Sequence, residues 1–352
     1  QSLAGRRKWG DASWGAGRVG WCAGRSRLPF VLFSSSVALS IPSPPVSSFQ
    51  LGPLTIHFYA LCILAGIVAA AIMTNHRLTK RGAEPWVVID ICLLAVPLAI
   101  IGARIFHVVT HWGFYFGEGK DFWAVFRIWE GGIAIFGALI GGAIGAWLGC
   151  KWTGIRFWTF ADALAPGLLL AQAMGRFGNW FNQELYGLPT DLPWGLQIDY
   201  PNAAWPVGLP EGTLFHPTFL YEAIWNVLGV IFLLWADKRF TLQWGRLFAL
   251  YLVWYSAGRI VWENIRIDPS EVFLGLRTNV WAAIIGVVVG LVIFFVQKRR
   301  HPGLEPSPYY PGREWTGGGN VQSQDTDAFV DVSAPPTSES TADTATSTVV
   351  SR

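Results

Sequence analysis

Polar residues that suit an anionic ligand are concentrated in one short block, residues 175–187, within an otherwise apolar stretch. Arg176 and Asn179 are three residues apart, so they share one face of a helix. Glu184 follows where that helix is expected to end. The planar fork of a guanidinium group matches a phosphate, and glycines at 175 and 178 leave room for a neighbouring helix or a lipid headgroup. We therefore predict a phosphate-binding site at this block.

Charged residues also occur inside other apolar segments. A central arginine costs about 2.5–3.5 kcal/mol in a helix that crosses a bilayer, so such residues must be paired, near an interface or facing a wet cavity. Arg259 and Glu263 are one helical turn apart and can neutralise each other. That pair leaves two further arginines on two other segments unexplained. The charged residues concerned are Asp90, Arg104, Asp162, Arg176, Glu222, Arg259 and Glu263.

The elements that carry these residues have the length and composition of membrane-spanning helices. Hydrophobic residues make up 52% of the chain and charged residues 14%, against roughly a quarter in soluble proteins. Runs of roughly 18–24 apolar residues match the thickness of a bilayer. We predict an all-α polytopic integral membrane bundle of about seven transmembrane helices. The predicted spans are 55–74, 87–109, 132–150, 157–180, 217–236, 245–265 and 278–297.

Lysine and arginine in the connections set the expected orientation. The first, third and fifth connections and the segment after the last span are basic, so they are expected inside. The fourth connection, residues 181–216, contains no lysine or arginine and is expected to form a small external head ordered by aromatic packing. Arg176 and Glu184 would then lie at the outer surface of the membrane.

The two ends of the chain differ from the middle. Residues 1–50 form a poorly defined N-terminal extension that resembles a signal peptide faintly, or an upstream region translated from a misplaced start. Residues 301–352 are rich in Ser, Thr, Asp, Pro and Gly, which predicts a disordered cytoplasmic tail. The four cysteines lack metal-ligand spacing, so no metal is expected. The net charge of +3 is explained by the loops and does not predict a nucleic-acid partner.

The block at 175–187 resembles the signature of the bacterial phosphatidylglycerol–prolipoprotein diacylglyceryl transferases. Further motifs of that family match in the same order, and the resemblance covers about residues 51–300. They are His57-Phe58-Tyr59, Gly102-Ala103-Arg104, Trp129-Glu130-Gly131-Gly132, Ala161-Asp162, His216-Pro217, Tyr221-Glu222 and the segment from Tyr255 to Glu263.

The resemblance implies an enzyme of the bacterial inner (cytoplasmic) membrane, multi-pass, with its active site facing the outer leaflet. Such an enzyme transfers the diacylglyceryl group of phosphatidylglycerol to the lipobox cysteine thiol of a secreted prolipoprotein. A thioether forms and glycerol phosphate leaves. The substrates and partners implied are phosphatidylglycerol, membrane lipid and prolipoprotein signal peptides with a lipobox cysteine. No metal or organic cofactor is implied.

The resemblance also assigns roles to individual residues. Arg176, Arg259 and Glu184 match catalytic positions. The residues expected to bind phosphatidylglycerol are Arg176, Asn179, Tyr59, Gly187, Tyr255, Arg259 and Glu263. We expect the two arginines to hold the phosphate while Asn179 and Tyr59 orient the headgroup.

One position departs from the family pattern. Many members have a histidine, proposed as the base for the thiol proton, where this chain has Phe136. Either the base lies elsewhere, or solvent or the departing phosphate deprotonates the thiol, or the chain is inactive. His107 and His111 are four residues apart, but His111 is expected past the end of its helix, which disfavours a metal site. We expect His216 to cap the fifth span.

Three alternatives remain open at the level of sequence. A lipid or anion transporter would use the same arginines without modifying a protein. An intramembrane protease is disfavoured, because Ser256 lacks a matching histidine motif and Asp90 and Asp162 lack the expected flanking glycines. The third alternative is a lipid-binding relative that has lost its activity.

Overall fold

The computed structural model describes residues 40–117, 119–202, 204–268 and 270–316, apart from the side chain of Glu130. Residues 1–39 of the predicted N-terminal extension lie outside the described residues. The described chain is helical apart from two short hairpins and loops. Its helices are α1 (Phe58–Lys80), α2 (Val87–Thr110), α3 (Trp112–Tyr115), α4 (Ile135–Thr153), α5 (Phe157–Phe181), α6 (Thr218–Phe240), α7 (Arg246–Glu263) and α8 (Thr278–Arg300), with two 3-10 turns at Phe122–Phe126 and Ile128–Glu130.

The strands form two separate antiparallel hairpins. β1 (Ser48–Leu51) pairs with β2 (Leu54–His57) immediately before α1, with Ser48 opposite His57. β3 (Val272–Phe273) pairs with β4 (Leu276–Arg277) immediately before α8. The first predicted span was therefore placed three residues too early, because residues 55–57 belong to β2.

Helices α2 and α4 pack closely because α4 has a glycine at every fourth position of one face. Gly137, Gly141, Gly145 and Gly149 are all buried. A Cβ atom at Gly141 would overlap the carbonyl oxygen of Leu98 on α2. Small residues of this kind let two helix backbones approach each other in a membrane.

Helix α5 lies at the centre of the described bundle, because it packs against α1, α6 and α7. Its contact with α1 also depends on glycine: a Cβ at Gly167 would lie 3.1 Å from the Cα of Ala70. Helices α7 and α8 pack together in turn.

Among the described residues, five helices are long and apolar enough to cross a membrane: α1, α2, α4, α6 and α8. The chain is thus an all-helical polytopic membrane protein. Helices α5 and α7 are less apolar, because they carry Asp162, Arg176, Arg259 and Glu263. A helix enclosed by its neighbours can place such residues inside the bundle.

The connection between α5 and α6 is packed around aromatic side chains, as its composition predicted. Phe215 is fully buried there together with Tyr186 and Leu196. The backbones of Leu196 and Phe215 bridge in antiparallel fashion, and Ile41 bridges Leu196 in parallel. Residues 40–51 are therefore part of the folded unit. Burial also raises the pKa of the Tyr186 phenol above its ordinary value.

Residues 302–316, which we call the C-terminal strap, run from the end of α8 back across other helix ends. Glu305 is fully buried and accepts hydrogen bonds from Thr159 Oγ1 at 2.6 Å and the backbone N–H of Trp244 at 2.9 Å. Burial raises the pKa of the Glu305 carboxyl, and these two donors oppose that rise. Arg313 donates to the carbonyls of Lys151 and Trp152 at the end of α4. The folded chain thus extends past the predicted domain end at residue 300, and residues 317–352 lie outside the described part.

Candidate active site

Three helix ends meet at one side of the bundle and bring the predicted arginines together. Arg176 lies in the last two turns of α5, and Arg259 lies in the last two turns of α7. Glu222 lies between them, in the second turn of α6. Each arginine lies in the C-terminal part of its helix, but before the last turn, so its charge is balanced mainly by carboxylates and little by the helix dipole.

The carboxylate of Glu222 is shared by both arginines. Its Oε2 lies 2.9 Å from Nη2 of Arg176 and 3.6 Å from Nη1 of Arg259. The Glu222 side chain is 6% exposed. This carboxylate holds together two cations that would otherwise repel each other. Removing one partner from a buried ion pair typically costs about 3–5 kcal/mol, because the other charge is left uncompensated.

Glu263 connects this pair to a second group of charged residues. Its fully buried carboxylate lies 2.8 Å from Nη2 of Arg259, which confirms the predicted pairing one turn apart. The other oxygen of Glu263 accepts from Asn279 at 2.8 Å and lies 3.4 Å from Nε of Arg277. Arg266 lies 3.6 Å from Glu263. An ion-paired network thus runs from α5 through α6 and α7 to the start of α8.

Asn179 and Glu184 extend the network toward the loop after α5. The Asn179 amide donates to Oε1 of Glu184 at 2.8 Å, and its carbonyl oxygen accepts from Nη1 of Arg176 at 3.4 Å. Asn179 is buried, whereas Glu184 is partly exposed. Five predicted site residues therefore form one connected set, joined through Glu222: Arg176, Asn179, Glu184, Arg259 and Glu263.

Tyr59 lies beside this set, against the glycine of the predicted block. A Cβ added at Gly178 would come 2.5 Å from Cδ2 of the Tyr59 ring. Gly178 precedes Asn179 in sequence, so the ring of Tyr59 approaches α5 next to the Arg176–Asn179 face. Only glycine at 178 permits that approach.

The other two predicted binding residues are placed differently. Gly187 is buried in a packing junction, where a Cβ would come within 3.0 Å of His216, Ile265 and Thr218. Tyr255 packs beside Tyr251, with 6.1 Å between ring centroids. In the described part of the chain, neither residue has a hydrogen bond or ion pair with Arg176 or Arg259.

Two of the remaining charged residues inside helices have local partners of their own. Arg104 donates to the backbone carbonyls of Ala124, Val125, Gly131 and Gly132. Asp162 accepts from the backbone N–H groups of Gly245 and Phe248 at 2.7 and 2.8 Å, so it satisfies the start of α7. Arg104 and Asp162 thus hold loops and helix ends in place and do not belong to the Arg176–Glu222–Arg259 cluster.

Comparison with known proteins identifies the family. The sequence model of the family described as "Prolipoprotein diacylglyceryl transferase" matches residues 46–296. The chain belongs to this family. A phosphatidylglycerol–prolipoprotein diacylglyceryl transferase of Leifsonia xyli subsp. xyli is 61% identical over 305 residues, 83% of this chain and 91% of the relative. Proteins of the same name from Cutibacterium acnes and Paenarthrobacter aurescens are 50% and 51% identical, over 75% and 74% of this chain and 88% and 84% of their own lengths.

Sequence reasoning about this diacylglyceryl transferase missed the residues that organise its arginines. Glu222 was recognised as a charged residue inside a span but was not placed in the site. Arg266, Arg277 and Asn279 were not singled out. Glu222 had a detectable signal, because a buried carboxylate on a third helix is the natural partner of two intramembrane arginines.

The histidines of this family member, and the phenylalanine at the family's histidine position, agree with the predictions only in part. Phe136, at the family's histidine position, lies in the first turn of α4 with its ring 6.1 Å from that of Phe106. The prediction that His216 caps α6 is wrong: the helix begins after Pro217 without a side-chain cap, and Nδ1 of His216 lies 3.2 Å from the Tyr221 hydroxyl. His111 is the residue just after α2, as predicted.

Proposed function

We propose that this chain transfers the diacylglyceryl group of phosphatidylglycerol to the lipobox cysteine of secreted prolipoproteins, which is the first step of lipoprotein maturation. The names of its relatives support the reaction and both substrates. The arrangement of Arg176, Glu222 and Arg259 supports the place where the phosphate binds.

One observation carries this assignment. Nη1 of Arg259 is buried without a hydrogen-bond acceptor among the described residues, because Oε2 of Glu222 is 3.6 Å away and beyond hydrogen-bond distance. A buried cationic N–H without an acceptor is costly, and a phosphate oxygen would satisfy it. The Glu222 carboxylate orients both guanidinium groups toward such a ligand.

The charge of the network also suits this lipid. Among the residues joined directly by ion pairs, four arginines face three carboxylates, which leaves one surplus positive charge for a phosphodiester with one negative charge. The carboxylate of Glu184 joins the network only through Asn179 and is partly exposed. The residues counted are Arg176, Arg259, Arg266 and Arg277 against Glu222, Glu263 and Asp268.

The proposed reaction is a displacement at carbon. The cysteine sulfur forms a bond to the glycerol carbon of the diacylglyceryl group, and the bond from that carbon to the phosphate oxygen breaks. Glycerol phosphate leaves with the electron pair of the broken bond, and the thiol proton passes to solvent or to the departing phosphate. Arg176 and Arg259 stabilise the charge that develops on the departing phosphate, as preorganised cations do in a dry site. Asn179 and Tyr59 orient the headgroup, and Glu184 supplies a carboxylate at the exposed edge.

The remaining predicted residues have supporting roles in this proposal. Glu263 holds Arg259 in position. Gly187 allows the loop after α5 to pack against residues 216 and 265. Tyr255 lies one turn before Arg259 on α7, and its ring packs beside that of Tyr251, so we assign it a role in supporting the helix that carries Arg259.

We further propose that α5 and α7 also cross the bilayer, so that seven helices span the inner membrane and the site faces the outer leaflet. The charges of α5 and α7 point into the bundle, as charges in spanning helices do. Lysine and arginine occupy the last turns of α1, α6 and α8, which is typical of cytoplasmic ends. The connection between α5 and α6 would then be the external head.

The test is a transfer assay in membranes that contain the full chain, phosphatidylglycerol and a lipobox peptide. Mass spectrometry of the peptide should show the diacylglyceryl mass on its cysteine and none on a peptide with serine in place of that cysteine. Arg176→Ala should lower the rate at least about a hundredfold, since it removes a cation from the developing charge. Arg239→Gln, an exposed arginine near the opposite end of α6, is the matched control and should transfer normally.

Other outcomes would reject the proposal. Movement of labelled phosphatidylglycerol across the membrane without any mass change on the peptide would identify a transporter. Lipid binding with neither movement nor transfer would identify an inactive relative. Normal transfer by Arg176→Ala would show that this arginine does not serve the reaction.

A further inference from the structure

A polar cavity lies between α1 and α6, at the helix ends opposite the candidate active site. Its volume is about 500 Å³. Both helices pack against α5 and flank it. Its basic lining residues are His76, Arg77, Lys80, Arg81 and Lys238, and Asp237 is the acidic one. Four permanently cationic side chains thus face one carboxylate.

Two of these cations have buried nitrogens that the protein leaves unsatisfied. Nη1 of Arg81 and Nε of Arg77 have no hydrogen-bond acceptor in the described part of the chain. The side chain of Arg81 is 7% exposed and that of Arg77 is 11% exposed. Both guanidinium groups share the carboxylate of Asp237, at 2.9 Å for Arg77 and 3.7 Å for Arg81. An acceptor other than Asp237 is needed to satisfy them.

Two other buried carboxylates interact with Arg81 but are already used. Asp162 accepts from the backbone N–H groups of Gly245 and Phe248. Glu305 accepts from Thr159 and from the backbone of Trp244. Neither carboxylate receives a hydrogen bond from Arg81 within the described chain, so the unpaired N–H group stays available for a ligand.

This cavity is separate from the candidate active site. Glu222 and Asp237 lie fifteen positions apart on α6, which corresponds to about 22 Å along the helix axis. The distance approaches the thickness of the hydrocarbon core of a bilayer. The two arginine pairs therefore face opposite membrane surfaces.

The apolar lining shows how a lipid would fit. Met73 and Leu234 also line the cavity, each one turn closer to the middle of the bilayer than the arginine or aspartate on its helix. Leu234 is 38% exposed at the bundle surface. Cations at the helix end and apolar side chains one turn deeper match the order of phosphate and acyl chains in a phospholipid.

We propose that this cavity binds a phosphate group through Arg77 and Arg81, supplied by an anionic phospholipid of the leaflet at this end of the helices. A soluble phosphate has the same chemistry and is the alternative source. Arginine is suited to either, because its planar fork bonds two phosphate oxygens.

The test counts lipids retained by the purified full-length protein in native mass spectrometry after incubation with dioleoyl phosphatidic acid. The variants are Arg81→Gln and a double variant, Lys80→Gln with Lys238→Gln, whose lysines are exposed at the rim. Arg239→Gln is the control, because it removes an exposed cation from the same end of α6 outside the cavity. In parallel, thermal unfolding is measured with inorganic phosphate.

We expect the wild type and Arg239→Gln to retain one more phosphatidic acid than the other two variants, which should need roughly tenfold more lipid for the same retention. If inorganic phosphate alone stabilises the wild type and not these two variants, the site binds soluble phosphate. Equal lipid retention and equal response to phosphate in all four proteins would overturn the proposal. If Arg81→Gln fails to fold, the lysine double variant decides.

Discussion

Arg259 uses its two terminal nitrogens for different carboxylates, which a lysine cannot do. Nη2 lies 2.8 Å from Glu263, and Nη1 faces Glu222 at 3.6 Å. A lysine ends in one nitrogen, so it cannot reproduce the two separate positions from which the guanidinium fork meets Glu263 and Glu222. We predict that Arg259→Lys lowers diacylglyceryl transfer about tenfold to a hundredfold, the value of one charged hydrogen bond, while the protein still accumulates in the membrane.

The matched control is Arg246→Lys on the same helix. Arg246 lies at the start of α7, and its Nε donates to the carbonyl of Gln243 at 2.9 Å. Comparing the transfer rates of the two variants separates the loss of the fork at the site from a general effect of lysine on α7. Equal rates for both variants would show that charge alone is needed at 259.

At the level of single residues, the sequence predicted those site residues whose charge is costly in free energy inside an apolar segment. Arg176, Arg259 and Glu263 stood out because an ionised group inside an apolar segment requires a partner. The identity of that partner was not predictable, because Glu222 is far from both arginines in sequence and only the packing of α5, α6 and α7 joins them. The four-residue spacing of neighbours on one helix face predicted only the Arg259–Glu263 pair.

At the scale of elements, the α2–α4 contact gives a sharp comparison between neighbouring glycines. A Cβ at Gly141 would overlap the backbone carbonyl of Leu98, whereas a Cβ at Gly142 would meet only Ala99 Cβ at 3.4 Å, an ordinary contact. Gly141→Ala must push the helices apart, which typically costs about 1–3 kcal/mol. Gly142→Ala should instead gain up to about 1 kcal/mol from helix propensity.

The measurement is the thermal unfolding of each purified variant in detergent. We expect a lower midpoint than wild type for Gly141→Ala and an equal or higher midpoint for Gly142→Ala. Since the two residues are adjacent on α4 and the substitution is the same, composition cannot explain a difference. Similar midpoints for both variants would contradict the close α2–α4 approach.

The sequence predicted which long segments are helices better than it predicted where those helices end. The predicted span at 87–109 matches α2 within one residue, because apolar length decides it. The predicted span at 217–236 stops four residues before the end of α6, since Asp237, Lys238 and Arg239 resemble a loop. Asp237 pairs with Arg77 on α1, so its charge is compensated within the bundle, and the helix continues past it to Phe240. Such a contact has no local signal in the sequence.

At the scale of the whole molecule, the C-terminal strap shows that amino-acid composition alone does not predict whether a segment is folded. Residues 302–316 are polar and proline-rich, which predicted disorder, yet Glu305 and Tyr309 are buried. The segment is held by tertiary partners: the hydroxyl of Tyr309 accepts from the backbone of Glu84, and Nε of Arg156 donates to the carbonyl of Tyr309. It thereby joins the ends of helices that lie far apart in sequence.

Two truncations test whether this strap stabilises the bundle. Removing residues 317–352 leaves every described contact in place, so the unfolding midpoint in detergent and the transfer rate should match those of the full chain. Removing residues 302–352 also deletes the buried Tyr309 side chain and the hydrogen bonds of Glu305. That loss should cost roughly 3 kcal/mol or more and lower the midpoint clearly. If the shorter chain unfolds at the same temperature as the longer one, the strap contributes nothing to stability, and the helix ends are held by their direct contacts alone.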